Sequence, residues 1–213
     1  MYCQRAVRQK NMKTFLHVGC GSASKAQTTP VFRTDEWKEI RLDVDPLFKP
    51  DIVASSTNME AIADASMDAI FSSHNIEHLY AHEVPKAIRE FVRVLKDDGY
   101  LVITCPDLKA VCALVVEDKL LQPCYTAPAG PVAPFDILYG FRPHVASGRE
   151  NMAHKSGFTE KVLTWTLRHY GFSKIVSMHR GSPYFDLYAL ATKKSMPDNE
   201  LRALALQHFP RVR

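Results

Sequence analysis

Phe15-Leu16-His17-Val18-Gly19-Cys20-Gly21-Ser22-Ala23 is the stretch on which the reading of the fold turns. Its apolar run predicts a buried β-strand over Thr14 to Val18. Gly19-Cys20-Gly21 then stops the strand with a turn in which glycine tolerates a positive φ and lets a ligand approach the backbone closely. In open α/β sheets the ligand sits outside the carboxyl ends of the strands, so a strand that runs into such a turn marks a site for a nucleotide-like cofactor. The turn is not a dinucleotide fingerprint, because Ser24 stands where the third glycine of G-x-G-x-x-G belongs. A cofactor without a pyrophosphate fits it better.

Working outward, strand and helix signals alternate, which predicts a mostly parallel sheet with helices on both faces. Further strands are expected over Glu39 to Val44, Asp51 to Ala54 and Met67 to Ser72. Between Glu83 and Lys96, Val84, Ala87, Ile88, Phe91 and Leu95 recur at helical spacing, with Pro85 at the start and Gly99 beyond the end. Tyr100 to Cys105 reads as a buried strand closed by Pro106, completing a βαβ unit whose crossover should be right-handed. Thr159 is expected to cap a helix that runs to Tyr170 and stops at Gly171. Phe172 to His179 and Phe185 to Thr192 read as strands joined through Gly181-Ser182-Pro183. From Met196 onward the pattern is that of a polar amphipathic tail.

The second acidic signal lies about twenty residues past the glycine turn. Asp43 ends the second expected strand, where a carboxylate can accept hydrogen bonds from both hydroxyls of a ribose. Asp45 is the alternative, one of the pair being a turn residue; Asp43 is the preferred one.

At 213 residues, 46% hydrophobic and 23% charged, the chain suits one soluble domain with a substantial core. Its 27 basic and 23 acidic side chains are scattered, so the excess of four charges is no nucleic-acid footprint, and no nucleic-acid partner is expected. Five cysteines, Cys3, Cys20, Cys105, Cys112 and Cys124, form no CxxC pair and no His/Cys cluster at zinc spacing. No metal site is expected, and reduced thiols in a cytoplasmic protein are the simplest account. The basic segment Met1 to Lys13 lacks the apolar core of a signal peptide, and no apolar run is long enough to span a bilayer.

Taken together, residues 15 to 105 resemble the type 11 branch of the class I S-adenosylmethionine-dependent methyltransferases. The resemblance is carried by Gly19-Cys20-Gly21, Leu42-Asp43-Val44-Asp45-Pro46 and Pro50-Asp51-Ile52-Val53, followed by Ser66-Met67-Asp68-Ala69-Ile70-Phe71. It continues through Ser73-His74-Asn75-Ile76-Glu77-His78-Leu79 and Arg93-Val94-Leu95-Lys96-Asp97-Asp98-Gly99-Tyr100-Leu101. It implies a Rossmann-like, mostly parallel seven-stranded sheet ending in a C-terminal antiparallel hairpin, one methyltransferase domain over residues 1–213, and S-adenosylmethionine as cofactor. By the same resemblance Gly19, Cys20 and Gly21 line the methionine and ribose portion, Asp43 holds the ribose, Ser55 to Met59 (with Thr57) border the adenine, and Ser73 with His74 lie beside the methionine. His17 stands where many members carry an acid, Ala23 replaces their third glycine, and Ser55 replaces an aspartate that meets the adenine amino group.

Residues 122–157 carry five prolines, four glycines and several aromatics without periodicity. Loops of that length inside a compact domain are usually functional or disordered; because Tyr125, Phe135, Tyr139 and Phe141 would be costly to leave in water, they are expected to form an ordered insertion covering the substrate, with 195–213 as a tail. Arg142 there could meet an acidic acceptor. Where an acceptor needs a base, histidine is suited near neutral pH; His154 comes first, His144 second, and His78, after Glu77 at a helix start, is a further candidate. The expected acceptor is a small molecule. A non-catalytic cofactor-binding partner subunit is the alternative, favoured by the altered glycine turn and the missing adenine-side acid. An aminopropyltransferase is disfavoured, since the insertion offers only Asp136 and Glu150 to a polyamine.

Overall fold

The computed structural model describes residues 12–210; Cys3 and most of the basic segment Met1 to Lys13 lie outside them. Strand β1 (Lys13–Val18) pairs in parallel with β2 (Trp37–Asp43) on one side and with β4 (Met67–Ser73) on the other. The short β3 (Ile52–Val53) extends the sheet beyond β2, and β5 (Leu95–Pro106) continues it beyond β4. The sequence expected β5 to start at Tyr100. Its first pairing residue is Leu95, opposite Met67, ahead of a register shift, so helix α1 (Val84–Val94) hands the chain straight to the strand.

The hairpin of β8 (Lys174–Arg180) and β9 (Asp186–Thr192) closes the sheet, with β9 inserted antiparallel beside β5. The order is β3-β2-β1-β4-β5-β9-β8, the seven-stranded, mostly parallel, Rossmann-like arrangement expected. The strand order reverses at β1, between β2 and β4, which opens a crevice at the carboxyl ends, where ligands of such sheets bind.

Each face buries its own cluster. On one, α1 supplies Val84, Ile88, Phe91 and Val94, and α5 (Glu160–His169) supplies Leu163 and Leu167, against Leu16, Ile70, Leu101 and Ala189. Thr159 caps α5 as expected, its Oγ1 accepting from the Val162 N–H. On the other face Phe15, Phe71 and Val102 meet Phe32 of the β1–β2 loop and Leu201 and Ala205 of α6 (Asp198–His208). The segment from Met196 is therefore a helix seated on the sheet as far as it is described, its apolar positions too sparse to show as a core stripe.

The insertion is ordered. It holds a two-stranded ribbon of β6 (Tyr125–Ala127) and β7 (Gly130–Val132), then the short helices α3 (Pro134–Tyr139) and α4 (Arg142–Ala146). Ahead of it, α2 (Leu108–Val116) had no forecast: its sequence LKAVCALVV is apolar nearly all round, and periodicity cannot show such a helix. Asp107 caps it, and Val111 joins Val132 and Ile137 in a third small cluster that ties insertion to sheet. No helix among the described residues is long and apolar enough to cross a membrane.

Candidate active site

A cavity of about 550 Å³ opens at the carboxyl ends of β1, β2 and β4. Gly19, Cys20 and Gly21 form one wall, Gly19 at φ +64° and Gly21 at φ +50°. The turn is fastened from two sides: Asp43 Oδ2 accepts from the Gly21 N–H at 2.7 Å, and the Arg41 guanidinium donates to the Gly21 and Ala23 carbonyls. Asp43 is buried in this wall and its Oδ1 accepts from the Asp45 N–H. Asp45 instead caps a 3-10 turn by accepting from the Leu47 N–H, which makes it the turn residue of the pair.

Ala54, Ser55 and Ser56 border the cavity beside Val44 and Phe48. Asn75, after β4, leaves a buried Oδ1 with no hydrogen-bond partner among the described residues. The insertion covers the opening with His144, Arg149, Asn151 and Met152, Arg149 lying over the Phe48 ring at 5.2 Å.

A second cavity of about 280 Å³ adjoins the first, with His74, His78, His144 and Met152 lining both. Its apolar walls are Val132, Ile137 and Phe141, and its polar groups are Glu77, His154, Asp186, Tyr125 and Tyr184. His74 sits in the left-handed region at φ +48°, which turns its ring toward Glu77, 3.2 Å from Nδ1, and Asp186, 3.5 Å from Nε2. Desolvation works against charge on His74, but the Glu77 hydrogen bond and the two carboxylates outweigh it and raise its pKa. For Asp186 burial dominates and the pKa rises despite the facing His74 and Arg180. His154 is moved the other way: burial lowers its pKa, leaving a neutral ring at neutral pH.

Residues 16–103, somewhat under half of the chain, match the family model described as a methyltransferase domain. Over that stretch the chain is similar to the methyltransferase domain family. Solved structures agree at the level of fold. An S-adenosylmethionine-dependent methyltransferase from Archaeoglobus fulgidus is 14% identical with a TM-score of 0.59, over 85% of this chain and 86% of its own. The PH0226 protein from Pyrococcus horikoshii is 14% identical with a TM-score of 0.59, over 88% and 84%. The 1,6-didemethyltoxoflavin-N1-methyltransferase of Burkholderia thailandensis, solved with 1,6-didemethyltoxoflavin and S-adenosylhomocysteine bound, is 13% identical with a TM-score of 0.55, over 85% and 71%. No curated protein matches the sequence.

Within this methyltransferase fold the residues singled out from sequence divide. Gly19, Cys20, Gly21, Asp43 and Ser55 line the larger cavity, and His74, His78 and His144 line both. His154 faces the smaller one. Four others lie elsewhere. His17 is buried on the α6 face of the sheet, its Nδ1 2.7 Å from Glu39 Oε1 and its ring against Phe71. Side chains alternate along a strand, and His17 falls on the opposite face from Val18. Met59 is fully buried in the α1-side core. Thr57 turns back to Ser55, Oγ1 to Oγ at 2.7 Å, and Ser73 bonds Thr104 Oγ1 on the far face of the sheet. Arg142 is bonded to Asp136 through two hydrogen bonds of 2.8 and 3.0 Å and lines neither cavity.

Sequence reasoning passed over Asn75, Glu77, Asp186 and Arg149. Only Asn75 and Glu77 carried a signal, since both lie within the quoted run from Ser73 to Leu79.

Proposed function

We propose that the chain is an S-adenosylmethionine-dependent methyltransferase acting on a small-molecule acceptor by direct methyl transfer. The observation that carries this reading is the pair of adjoining cavities that share His74, His78, His144 and Met152. The larger one fits the cofactor on the chemistry of its donors. Asp43 offers carboxylate lone pairs at the end of β2 to ribose hydroxyls, and the unpartnered Asn75 Oδ1 offers an acceptor to the ammonium of the methionine portion. Gly21 leaves open space where a side chain would stand, because a Cβ there would have no heavy atom within 4 Å. Bound there, the cofactor supplies an electrophilic methyl group on a positively charged sulfur.

The protein's own work is then to orient the acceptor and exclude water, an effect that can reach about 7 to 11 kcal/mol of the barrier. The apolar walls of the smaller cavity and the insertion over both openings serve that role. His154, His144 and His78 all face the acceptor side; His154, held neutral by burial, can take a proton from an acceptor that must lose one. An acceptor cavity beside the cofactor cavity argues against a non-catalytic partner subunit.

Calorimetric titration with S-adenosylmethionine and S-adenosylhomocysteine tests this directly. Micromolar binding is expected, weakened at least tenfold in Asp43→Ala and Asp43→Asn; at 1.4 kcal/mol per decade that is the loss of roughly one or more charge-assisted hydrogen bonds. A folded wild-type protein that binds neither compound would overturn the proposal.

A further inference from the structure

Glu77, His78 and His154 bring one carboxylate oxygen and one nitrogen from each ring within 4.8 Å of one another. The convergence is built from two distant segments. The Lys155 and Ser156 N–H groups both donate to the Glu77 carbonyl, at 2.8 and 3.1 Å, and the Ser156 hydroxyl donates to the Ile76 carbonyl. These bonds strap the segment carrying His154 to the turn carrying Glu77 and His78.

The chemistry of the three groups is one-sided. His78 Nδ1 lies 3.2 Å from the Ala153 carbonyl and His154 Nδ1 lies 2.8 Å from the Ile137 carbonyl. A carbonyl cannot donate, so in each neutral ring Nδ1 carries the hydrogen and Nε2 keeps the lone pair. Backbone carbonyls fix metal-binding histidines in this way, setting tautomer and ring orientation together. Glu77 is 1% exposed; its Oε1 faces His74, and its Oε2 has no hydrogen-bond partner among the described residues. In these tautomers Glu77 Oε2 and the two Nε2 lone pairs are all acceptors and none of the three residues can donate to another through them, an arrangement that burial makes costly unless a cation completes it.

We propose that Glu77, His78 and His154 form a binding site for a divalent transition-metal ion of the zinc class. Two imidazoles and one carboxylate are the ligand set of open zinc sites, which keep a fourth position for water or substrate. All three residues line the smaller cavity, so that position faces the acceptor. Tetrahedral coordination, with ligand atoms about 3.4 Å apart for bonds near 2.1 Å, asks the three ligand side chains themselves to draw together from separations of up to 4.8 Å.

The consequence for chemistry rests on the methyltransferase reading. An ion there would hold an acceptor through an oxygen or sulfur atom and lower the pKa of its hydroxyl or thiol. With its lone pair on the ion His154 would no longer serve as the base, and the proton would pass to His144, whose buried Nδ1 has no partner among the described residues and which lines both cavities.

The test uses untagged full-length protein stripped with chelator, titrated with Zn(II) and with Co(II) and read by metal content after desalting and by the visible Co(II) spectrum. One ion per chain and an intense tetrahedral Co(II) band are expected. His154→Gln and Glu77→Gln should each weaken metal binding by more than about a hundredfold, beyond the 10 to 100-fold typical of outer-shell changes. S-adenosylhomocysteine titration of the same samples separates the two proposals. Wild-type protein that binds the cofactor yet takes up no stoichiometric metal overturns the metal site and leaves the methyltransferase reading standing; metal uptake without cofactor binding does the reverse. Variants that bind S-adenosylhomocysteine as wild type does are thereby shown to be folded, and unchanged metal affinity in them overturns the assignment of ligands.

Discussion

Gly19 and Gly21, on either side of Cys20, do unequal work. Gly19 is at φ +64°, and a Cβ there would stand 2.2 Å from Asn75 Nδ2 and 2.9 Å from Asn75 Cβ. Alanine at this position meets both the left-handed penalty, about 1 to 2 kcal/mol, and a collision that pushes Asn75 out of its place in the cavity wall. Gly21, at φ +50°, meets only the first. Gly19→Ala should therefore lower the melting temperature by more than Gly21→Ala and, alone of the two, move Asn75; differential scanning calorimetry and the chemical shift of the Asn75 side-chain amide measure the two effects. Equal losses of stability would show that Asn75 yields freely. The glycine turn and Asp43 were legible in sequence because they depend on backbone conformation and strand ends, which short motifs encode. His17, Met59, Thr57 and Ser73 were misplaced because motif position does not say which face of a strand or loop a side chain takes.

Among the elements, the parallel core was readable where periodicity is strong, as in β1 and α1, and unreadable where it fails. α2 hides because it is apolar all round, and the insertion hides because it is held by specific polar bonds that leave no repeating pattern. Asp136 shows how. Its buried carboxylate accepts from the Ala133 N–H at 2.9 Å and the Arg142 N–H at 3.1 Å, as well as from the Arg142 guanidinium. It thus pins the start of α3 to the start of α4, next to the acceptor cavity. Asp136→Ala leaves Ala133 N–H, a fully buried donor, unsatisfied, at a cost of about 1 to 3 kcal/mol. The expected signature is local: amide exchange should accelerate over residues 130–154 while amides of β1, β4 and β5 keep their protection. Uniform loss across the sheet would mean that the insertion is not a separate cooperative unit.

At the scale of the whole molecule, α6 is the piece that joins the C-terminal part of the chain to the first crossover, and His208 is its anchor. The ring is 2% exposed, with Nδ1 2.7 Å from Thr29 Oγ1 and Nε2 3.1 Å from Tyr100 OH, and it packs 4.7 Å from the Phe32 ring. Burial lowers its pKa from 6.5 to about 4. The unfolded chain accepts a proton near 6.5 where the native protein does not, so between these two values the unfolded state binds more protons. His208's effect is then nil above pH 6.5, destabilising as the pH falls toward 4, and constant below that. At 1.36 kcal/mol per pKa unit the full effect is about 3 kcal/mol. His154, lowered from 6.5, and Asp186, raised from 3.8, titrate in overlapping windows, but both are common to wild type and variant and cancel in the difference between them. The raised pKa values of His74 and His179 place their contributions above pH 6.5, where stability is lost as the pH rises through the folded values. The lowered carboxyls of Glu77, Glu90 and Asp136 act below about 4.5, losing stability as the pH falls. Urea unfolding of wild type and His208→Gln at intervals from pH 7.5 to 4.5 isolates the effect, because glutamine keeps hydrogen-bonding capacity toward Thr29 and Tyr100 but does not titrate. The stability difference between the two should shrink steadily below pH 6.5 and stay flat above it; parallel curves throughout would mean that His208 takes up its proton in the native state without releasing α6 from the sheet.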